Sequence, residues 1–268
     1  MFTIQKLAQP HTLDDAYQLL AAHRNNAILG GCAFLRLGSQ RIATAIDLSR
    51  CNLSYIQETS DEIFIGAMAT FRDIETSAIL QAQSNGIVSK AVSNIIGVQL
   101  RNSATVGASV FSKYGFSDFI PALLALDTDV QLYMGGRLPL AAFLRNKYQK
   151  DILTQVIIKK NDRYAAYRQL RNSHSDFPLL NVAVSQLDGA WRIVVGARPG
   201  RARFARRAAE MLSAAETTSE AITRAAQAAA EELPFGTNTR ASAAYRKALC
   251  QTLVQRAITE VLSCKTSK

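Results

Sequence analysis

Two short runs of small residues are the places where this chain can bring its backbone up against a ligand. Ala27-Ile28-Leu29 is a short apolar strand that runs straight into Gly30-Gly31. Amides with no Cβ in the way hydrogen-bond phosphate oxygens; a plain turn is the other reading of the same pair. Thr105-Val106-Gly107-Ala108-Ser109 is the second run. Its small side chains permit close approach and its two hydroxyls supply donors, so it is expected to be a loop held near a ligand. Nine residues on, Asp118 either accepts hydrogen bonds from ligand hydroxyls or caps the helix that follows it.

Other chemistries find no support. There is no G-x-G-x-x-G or Walker sequence, so a Rossmann dinucleotide domain is not indicated. Cys32, Cys51, Cys250 and Cys264 are scattered, and His11, His23 and His174 have no ligand spacing. Neither a disulfide framework nor a protein-bound zinc or iron–sulfur centre is expected. His174 sits among Asn172, Ser173, Ser175 and Asp176 and lacks a G-x-S-x-G partner, which makes it a solvated loop histidine rather than part of a triad. No residue is assigned a catalytic role.

The 268 residues are 48% hydrophobic and 19% charged, enough apolar surface for a globular protein of one or two domains. Apolar runs such as Phe119–Leu126 fall far short of the roughly 20 residues a membrane span requires. Met1-Phe2-Thr3-Ile4-Gln5-Lys6 shows no secretion pattern. A soluble, cytoplasmic protein is expected. The net charge of +10 is uneven: residues 1–144 carry 10 Lys and Arg against 11 Asp and Glu, and residues 145–268 carry 21 against 10. The contrast supports a boundary within 145–165. The densest basic stretch is Arg198, Arg201, Arg203, Arg206 and Arg207; with no aromatics interleaved it reads as a solvated or protein-docking face, not a nucleic-acid site.

The elements that must position these residues follow from periodicity. Thr12 is an N-cap with Asp14 and Asp15 in the first turn, and Ala43–Leu48 and Glu62–Gly66 are strands. Thr70 caps a helix from Phe71, Gly86–Ile96 is helical, and Phe119–Leu126 is a buried helix. Asp129–Met134 and Arg137–Leu140 form a hairpin across Gly135-Gly136. Ile152–Ile158, Tyr164–Leu170, Leu180–Leu187 and Ala190–Gly196 are strands, the last two joined by Asp188-Gly189. Helices are expected over Arg203–Ala215, Ser219–Glu232 and Ser242–Leu262, on one face of an antiparallel sheet.

Taken together, Ile28-Leu29-Gly30-Gly31, Ile65-Gly66-Ala67-Met68-Ala69-Thr70, Gln99-Leu100-Arg101-Asn102-Ser103-Ala104-Thr105-Val106-Gly107, Asp118 with Pro121–Asp127, Tyr167-Arg168 and Tyr245-Arg246 with Leu249 resemble the FAD-binding (medium) subunit of the molybdenum hydroxylases, the xanthine dehydrogenase and carbon monoxide dehydrogenase family. The resemblance covers nearly the whole chain. It implies an α+β architecture: a two-subdomain FAD-binding fold of the vanillyl-alcohol-oxidase type followed by a C-terminal α+β domain, with divisions at 1–56, 57–160 and 161–268. It places FAD on Ala27, Ile28, Leu29, Gly30, Gly31, Cys32, Ala33 and Phe34, and on Thr105, Val106, Gly107, Ala108 and Ser109. Asp118 falls on the ribityl or phosphate side, Ile95 and Leu153 at the ring, and Arg168 near the isoalloxazine, an ordinary surface salt bridge being the other reading of Arg168; no metal site is implied.

The resemblance further implies an oxidoreductase subunit in a heteromeric complex. A molybdenum-cofactor large subunit would hydroxylate a purine, aromatic heterocycle or aldehyde, and a 2Fe–2S small subunit would deliver electrons to FAD for transfer to NAD+ or another acceptor. No nucleic acid is implied. A stand-alone flavoprotein and a flavin-free scaffold are the alternatives. The family's Ala-Gly-Gly-Thr-Asp is Gly30-Gly31-Cys32-Ala33-Phe34 here and its Thr-Val-Gly-Gly-Asn is Thr105-Val106-Gly107-Ala108-Ser109. Both departures fall on pyrophosphate-contacting stretches, and a Cβ at Ala108 would crowd the turn if φ there is positive.

Overall fold

The computed structural model describes residues 2–147, 150–214 and 216–266. In chain order the first elements are β1 (Thr3–Ala8), α1 (Leu13–Ala22), β2 (Ala27–Leu29), β3 (Arg41–Asp47), β4 (Ile56–Glu58), β5 (Glu62–Gly66) and α2 (Phe71–Thr76). Next come α3 (Ala78–Ala82), α4 (Ile87–Ser93), α5 (Val98–Ser103), α6 (Val106–Phe111), α7 (Phe119–Ala125), β6 (Thr128–Leu132), β7 (Gly136–Pro139), α8 (Leu140–Arg145) and β8 (Leu153–Lys159). Last are β9 (Tyr164–Leu170), β10 (Leu180–Leu187), β11 (Ala190–Gly196), β12 (Arg203–Phe204), α9 (Arg206–Ser213), α10 (Ser219–Glu232) and α11 (Ala243–Thr266). Two compact units emerge: Met1–Thr76 with Gly97–Ser112 and Thr128–Lys159, and Ser77–Ile96 with Lys113–Asp127 and Lys160–Lys268.

The first unit contains two sheets. In the smaller, β1 and β2 flank β3, both parallel to it. Ile42, Ala45 and Ile46 of β3 are buried, as are Ala16 and Leu20 of α1, so the helix stripe and the strand supply one apolar layer. Thr12 accepts from the Asp15 amide at 3.1 Å, as its N-cap reading requires. The larger sheet is antiparallel in the order β4-β5-β8-β6-β7. Ile152–Ile158, grouped by sequence with the later strands, belongs here as β8, between β5 and β6. Thr70 and Asp73 cap α2 reciprocally, the Asp73 amide to Thr70 Oγ1 at 3.2 Å and the Thr70 amide to Asp73 Oδ2 at 2.8 Å.

The second unit is built on the antiparallel sheet β12-β11-β10-β9. Leu180, Val182 and Val184 of β10 join Trp191, Ile193 and Val195 of β11 in a core with α9, α10 and α11. The alanines Ala225, Ala226, Ala228, Ala229 and Ala230 let α10 approach closely. Helices cover both faces of the sheet, not one as expected: α7 lies against β10 and β11 on the other side, which is why β10 is buried along nearly its whole length. Two polar residues on that face pin α7 at its ends. Asn181 Nδ2 donates to the Ser117 carbonyl at 3.0 Å and Ser185 Oγ to the Ala125 carbonyl at 2.5 Å. The segment read as a helix from Arg203 starts as β12 and becomes α9 only at Arg206; its expected end, Ala215, lies outside the described residues.

Candidate functional site

The stretch 103–109 is not a loop. Val98–Ser103 is α5, and Thr105 is the N-cap of α6, its side chain accepting from the Ala108 amide at 3.4 Å. Small residues and hydroxyls signal a helix start as well as a loop, because Ser and Thr bond the first free amides. The segment is stitched to residues 67–71 by backbone bonds: the Phe71 amide to the Ala104 carbonyl at 2.9 Å, Val106 to Ala69 at 2.9 Å and Gly107 to Ala67 at 2.8 Å. Arg101, buried, donates to both carboxylate oxygens of Glu75 at 2.9 and 3.2 Å, fastening α5 to α2. The arginine of the Gln-x-Arg-Asn run is therefore a structural clamp.

Gly30 and Gly31 press directly onto this segment. A Cβ at Gly30 would come within 2.5 Å of the Ala108 Cβ and 2.9 Å of Thr105 Oγ1; at Gly31 it would meet the Ser103 carbonyl oxygen at 1.8 Å. Gly31 also holds φ +68°, a conformation that disfavours side chains. The two predicted stretches are thus brought together in one unit, with no room for anything but hydrogen at their contact. Ala108 strains nothing: it lies within the first turn of α6, and φ there is not positive. Its methyl fits because residue 30 is glycine.

The chain then turns at Cys32, φ +54°. Among the described residues, the amides of Gly31, Cys32 and Ala33 donate to no protein acceptor. Amides in a turn of this kind form a concavity that suits an anion. The amides of Val106, Gly107 and Ala108 are satisfied within the protein, so the first stretch offers the donors and the second the wall behind them. Burial pushes the Cys32 thiol up, with Asp47 adding to it against the Gly30 amide. The thiol accordingly stays protonated at neutral pH.

Leu153, on β8 opposite Leu132, is 4% exposed in the first unit. The remaining predicted residues belong to the second. Ile95 follows α4, its amide bonded to the Val92 carbonyl at 3.0 Å, and is half-buried. Arg168, on β9, pairs with Glu260 of α11 at 2.8 Å. Asp118 does not cap α7; Ser117 does, its Oγ accepting from the Ile120 amide at 3.1 Å. The Asp118 carboxylate is instead buried, taking the Tyr167 hydroxyl at 2.5 Å, the Arg171 guanidinium at 2.8 Å and the Asn181 amide at 3.4 Å. Burial pushes this carboxyl up, opposed by Arg171 and those donors. Burial, then the Asp118 charge, push the Tyr167 hydroxyl far up, so it remains a donor. Sequence reasoning quoted Tyr167 without a role and missed Arg171, the residue after β9, and Asn181 of the neighbouring strand β10, which share no motif with Asp118.

No helix is long and apolar enough to cross a membrane, and no cluster of metal-binding side chains occurs, both among the described residues. Residues 2–160 match the family described as the FAD binding domain in molybdopterin dehydrogenase, and residues 165–261 the CO dehydrogenase flavoprotein C-terminal domain. The chain is similar to the nicotine 6-hydroxylase medium subunit of Paenarthrobacter nicotinovorans, 28% identical over 274 residues, covering 95% of this chain and 96% of that one. It is also similar to the 6-hydroxypseudooxynicotine dehydrogenase complex subunit alpha of the same organism, 28% identical over 273 residues, covering 94% and 92%. Among solved structures, a chain of carbon monoxide dehydrogenase from Hydrogenophaga pseudoflava superposes with a TM-score of 0.89 at 22% identity, covering 97% of this chain and 98% of that one, which shows a shared fold.

Proposed function

Since the chain belongs to the FAD-binding medium subunits of the molybdenum hydroxylases, we propose that it is the electron-exit subunit of a cytoplasmic complex. It takes electrons from a 2Fe–2S small subunit, fed by a molybdenum-cofactor large subunit, and delivers them to NAD+ or another acceptor. The compounds in the relatives' names, nicotine and 6-hydroxypseudooxynicotine, support a nitrogen heterocycle as the compound oxidised by the large subunit. The observation that carries the reading is the contact of Gly30 and Gly31 with Thr105, Ala108 and Ser103, which leaves the amides of Gly31, Cys32 and Ala33 for a pyrophosphate.

When bound, FAD supplies both one-electron and two-electron redox chemistry; the chain's part is to bind and orient it. Ala27–Phe34 and Thr105–Ser109 would hold the phosphates, Asp118 the ribityl side, and Ile95, Leu153 and Arg168 the ring. The division at 1–56, 57–160 and 161–268 belongs to the same proposal. The loss of the family's hydroxyl and carboxylate, which fall on Ala33 and Phe34 here, leaves backbone amides as the principal donors of this turn. The test is anaerobic: the FAD-loaded chain is mixed with its two partner subunits and the heterocycle, and flavin absorbance is followed. Bleaching that needs both partners supports the reading. Bleaching by the heterocycle without them makes the chain a stand-alone flavoprotein and contradicts it.

A further inference from the structure

The second unit carries the densest basic stretch of the chain, between residues 198 and 207. Of the arginines between 198 and 207, Arg198 is 4% exposed and donates to the carbonyls of Pro234 and Arg201, a purely internal role. Arg203, Arg206 and Arg207 are exposed, and among the described residues none of them forms an ion pair. Arg206 and Arg207 are the first two residues of α9, where the helix dipole is positive and disfavours a cation. The anion such a position calls for is already in place. The Glu232 carboxylate accepts from the Arg207 and Ala208 amides at 3.0 and 3.1 Å. The side chains of Arg206 and Arg207 are thus not needed to satisfy this helix end.

A groove of about 560 Å³ reaches Arg206, flanked in sequence by Arg203 and Arg207, and is lined by Trp191, Ile193, Phe204 and Ala209, by Arg192, which pairs with Asp127, and by Glu210 as the one carboxylate in the lining. An apolar floor with arginine beside it is the anatomy of a protein interface, where a buried apolar anchor is ringed by charge-assisted contacts. A single-stranded nucleic acid would instead need several exposed aromatic faces for stacking; of the two aromatic side chains in the lining, Trp191 is 5% exposed and Phe204 half-buried. We infer that this face docks an acidic surface of a partner subunit, one apolar side chain entering the groove and flanking carboxylates meeting Arg203, Arg206 and Arg207. The inference rests on the reading that the chain works inside a multi-subunit enzyme, and it deepens that reading by naming a surface for the contact.

The test uses the assembled complex. Arg203→Glu/Arg206→Glu/Arg207→Glu is compared with the matching triple lysine variant by sedimentation across a salt series, with flavin content and circular dichroism as folding checks. Charge reversal is expected to weaken association of the chain with a partner subunit about tenfold or more and to remove most of its salt dependence. The lysine variant is expected to stay within about threefold of the unaltered protein, since it keeps the charge. Unchanged association on reversal overturns the inference and leaves the proposed function standing. So does binding of phosphatidylserine vesicles or duplex DNA through these arginines with subunit association unaffected. If the unaltered chain associates with neither partner, the reading beneath falls and the docking surface with it.

Discussion

At the scale of single residues, the site is decided by what is missing. Gly31 has no Cβ because one would meet the Ser103 carbonyl oxygen at 1.8 Å, with φ at +68° besides. Gly31→Ala is expected to cost about 2–4 kcal/mol through overpacking and backbone strain, and to abolish retention of FAD, measured by urea unfolding and by flavin absorbance after desalting. Ala108→Gly should leave flavin retention intact, because the Ala108 methyl is accommodated. Asp127 illustrates a charge whose role is in the fold. It accepts from Arg163 at 3.0 Å, Arg192 at 2.5 Å and Asn161 at 2.9 Å. Against its burial, Arg192 and Arg163 hold the carboxyl below the ordinary carboxylate range. A depressed carboxyl contributes stability that is present above its unfolded pKa, near 3.9, and is lost as pH falls through its folded one. Asp127→Asn is therefore expected to unfold at lower urea than the unaltered protein at pH 7, with the gap closing below about pH 4. A gap independent of pH would contradict the assignment.

At the scale of elements, periodicity and turn chemistry were legible where one rule decided the outcome. Glu62–Gly66, Tyr164–Leu170, Leu180–Leu187 and Ala190–Gly196 coincide with β5, β9, β10 and β11, and Asp188-Gly189 does turn a hairpin, both residues with positive φ. Legibility failed where two rules compete. Thr105–Ser109 carries residues that suit a loop and a helix cap alike, and only the backbone bonds to residues 67–71 select the helix. Ile56–Glu58 is too short and polar to announce itself, yet it pairs with β5 as an edge strand. The buried Arg246 was visible only as part of a resemblance. It donates to the carbonyls of Leu179, Gly236 and Ala241 and to Asn238 Oδ1, joining α11 to the segments before it. Arg246→Met leaves those acceptors unsatisfied and should destabilise the protein by about 3–5 kcal/mol, visible as a lowered melting temperature.

At the scale of the whole molecule, the family resemblance drawn from ordered motifs holds across both matched regions, residues 2–160 and 165–261. Each of these motifs is a packing necessity in this chain: glycines at the contact of two segments, Arg101 on Glu75, Arg246 among carbonyls. The partners of Asp118 were illegible because they are set by the pairing of β9 with β10, which no local pattern in the sequence encodes. The charge asymmetry, legible from the first count, acquires a location only once Arg198 is seen turned inward and Arg203, Arg206 and Arg207 exposed. All four cysteines are free thiols, so melting should be indifferent to a reductant. The central claim, that this chain holds FAD on two segments packed glycine against side chain, is tested most directly by the visible absorbance of the purified protein after incubation with FAD and desalting, alone and in its complex. Retained flavin bands that bleach on reduction, and that Gly31→Ala loses, are the expected result. Absence of flavin from both the chain and the complex would contradict it.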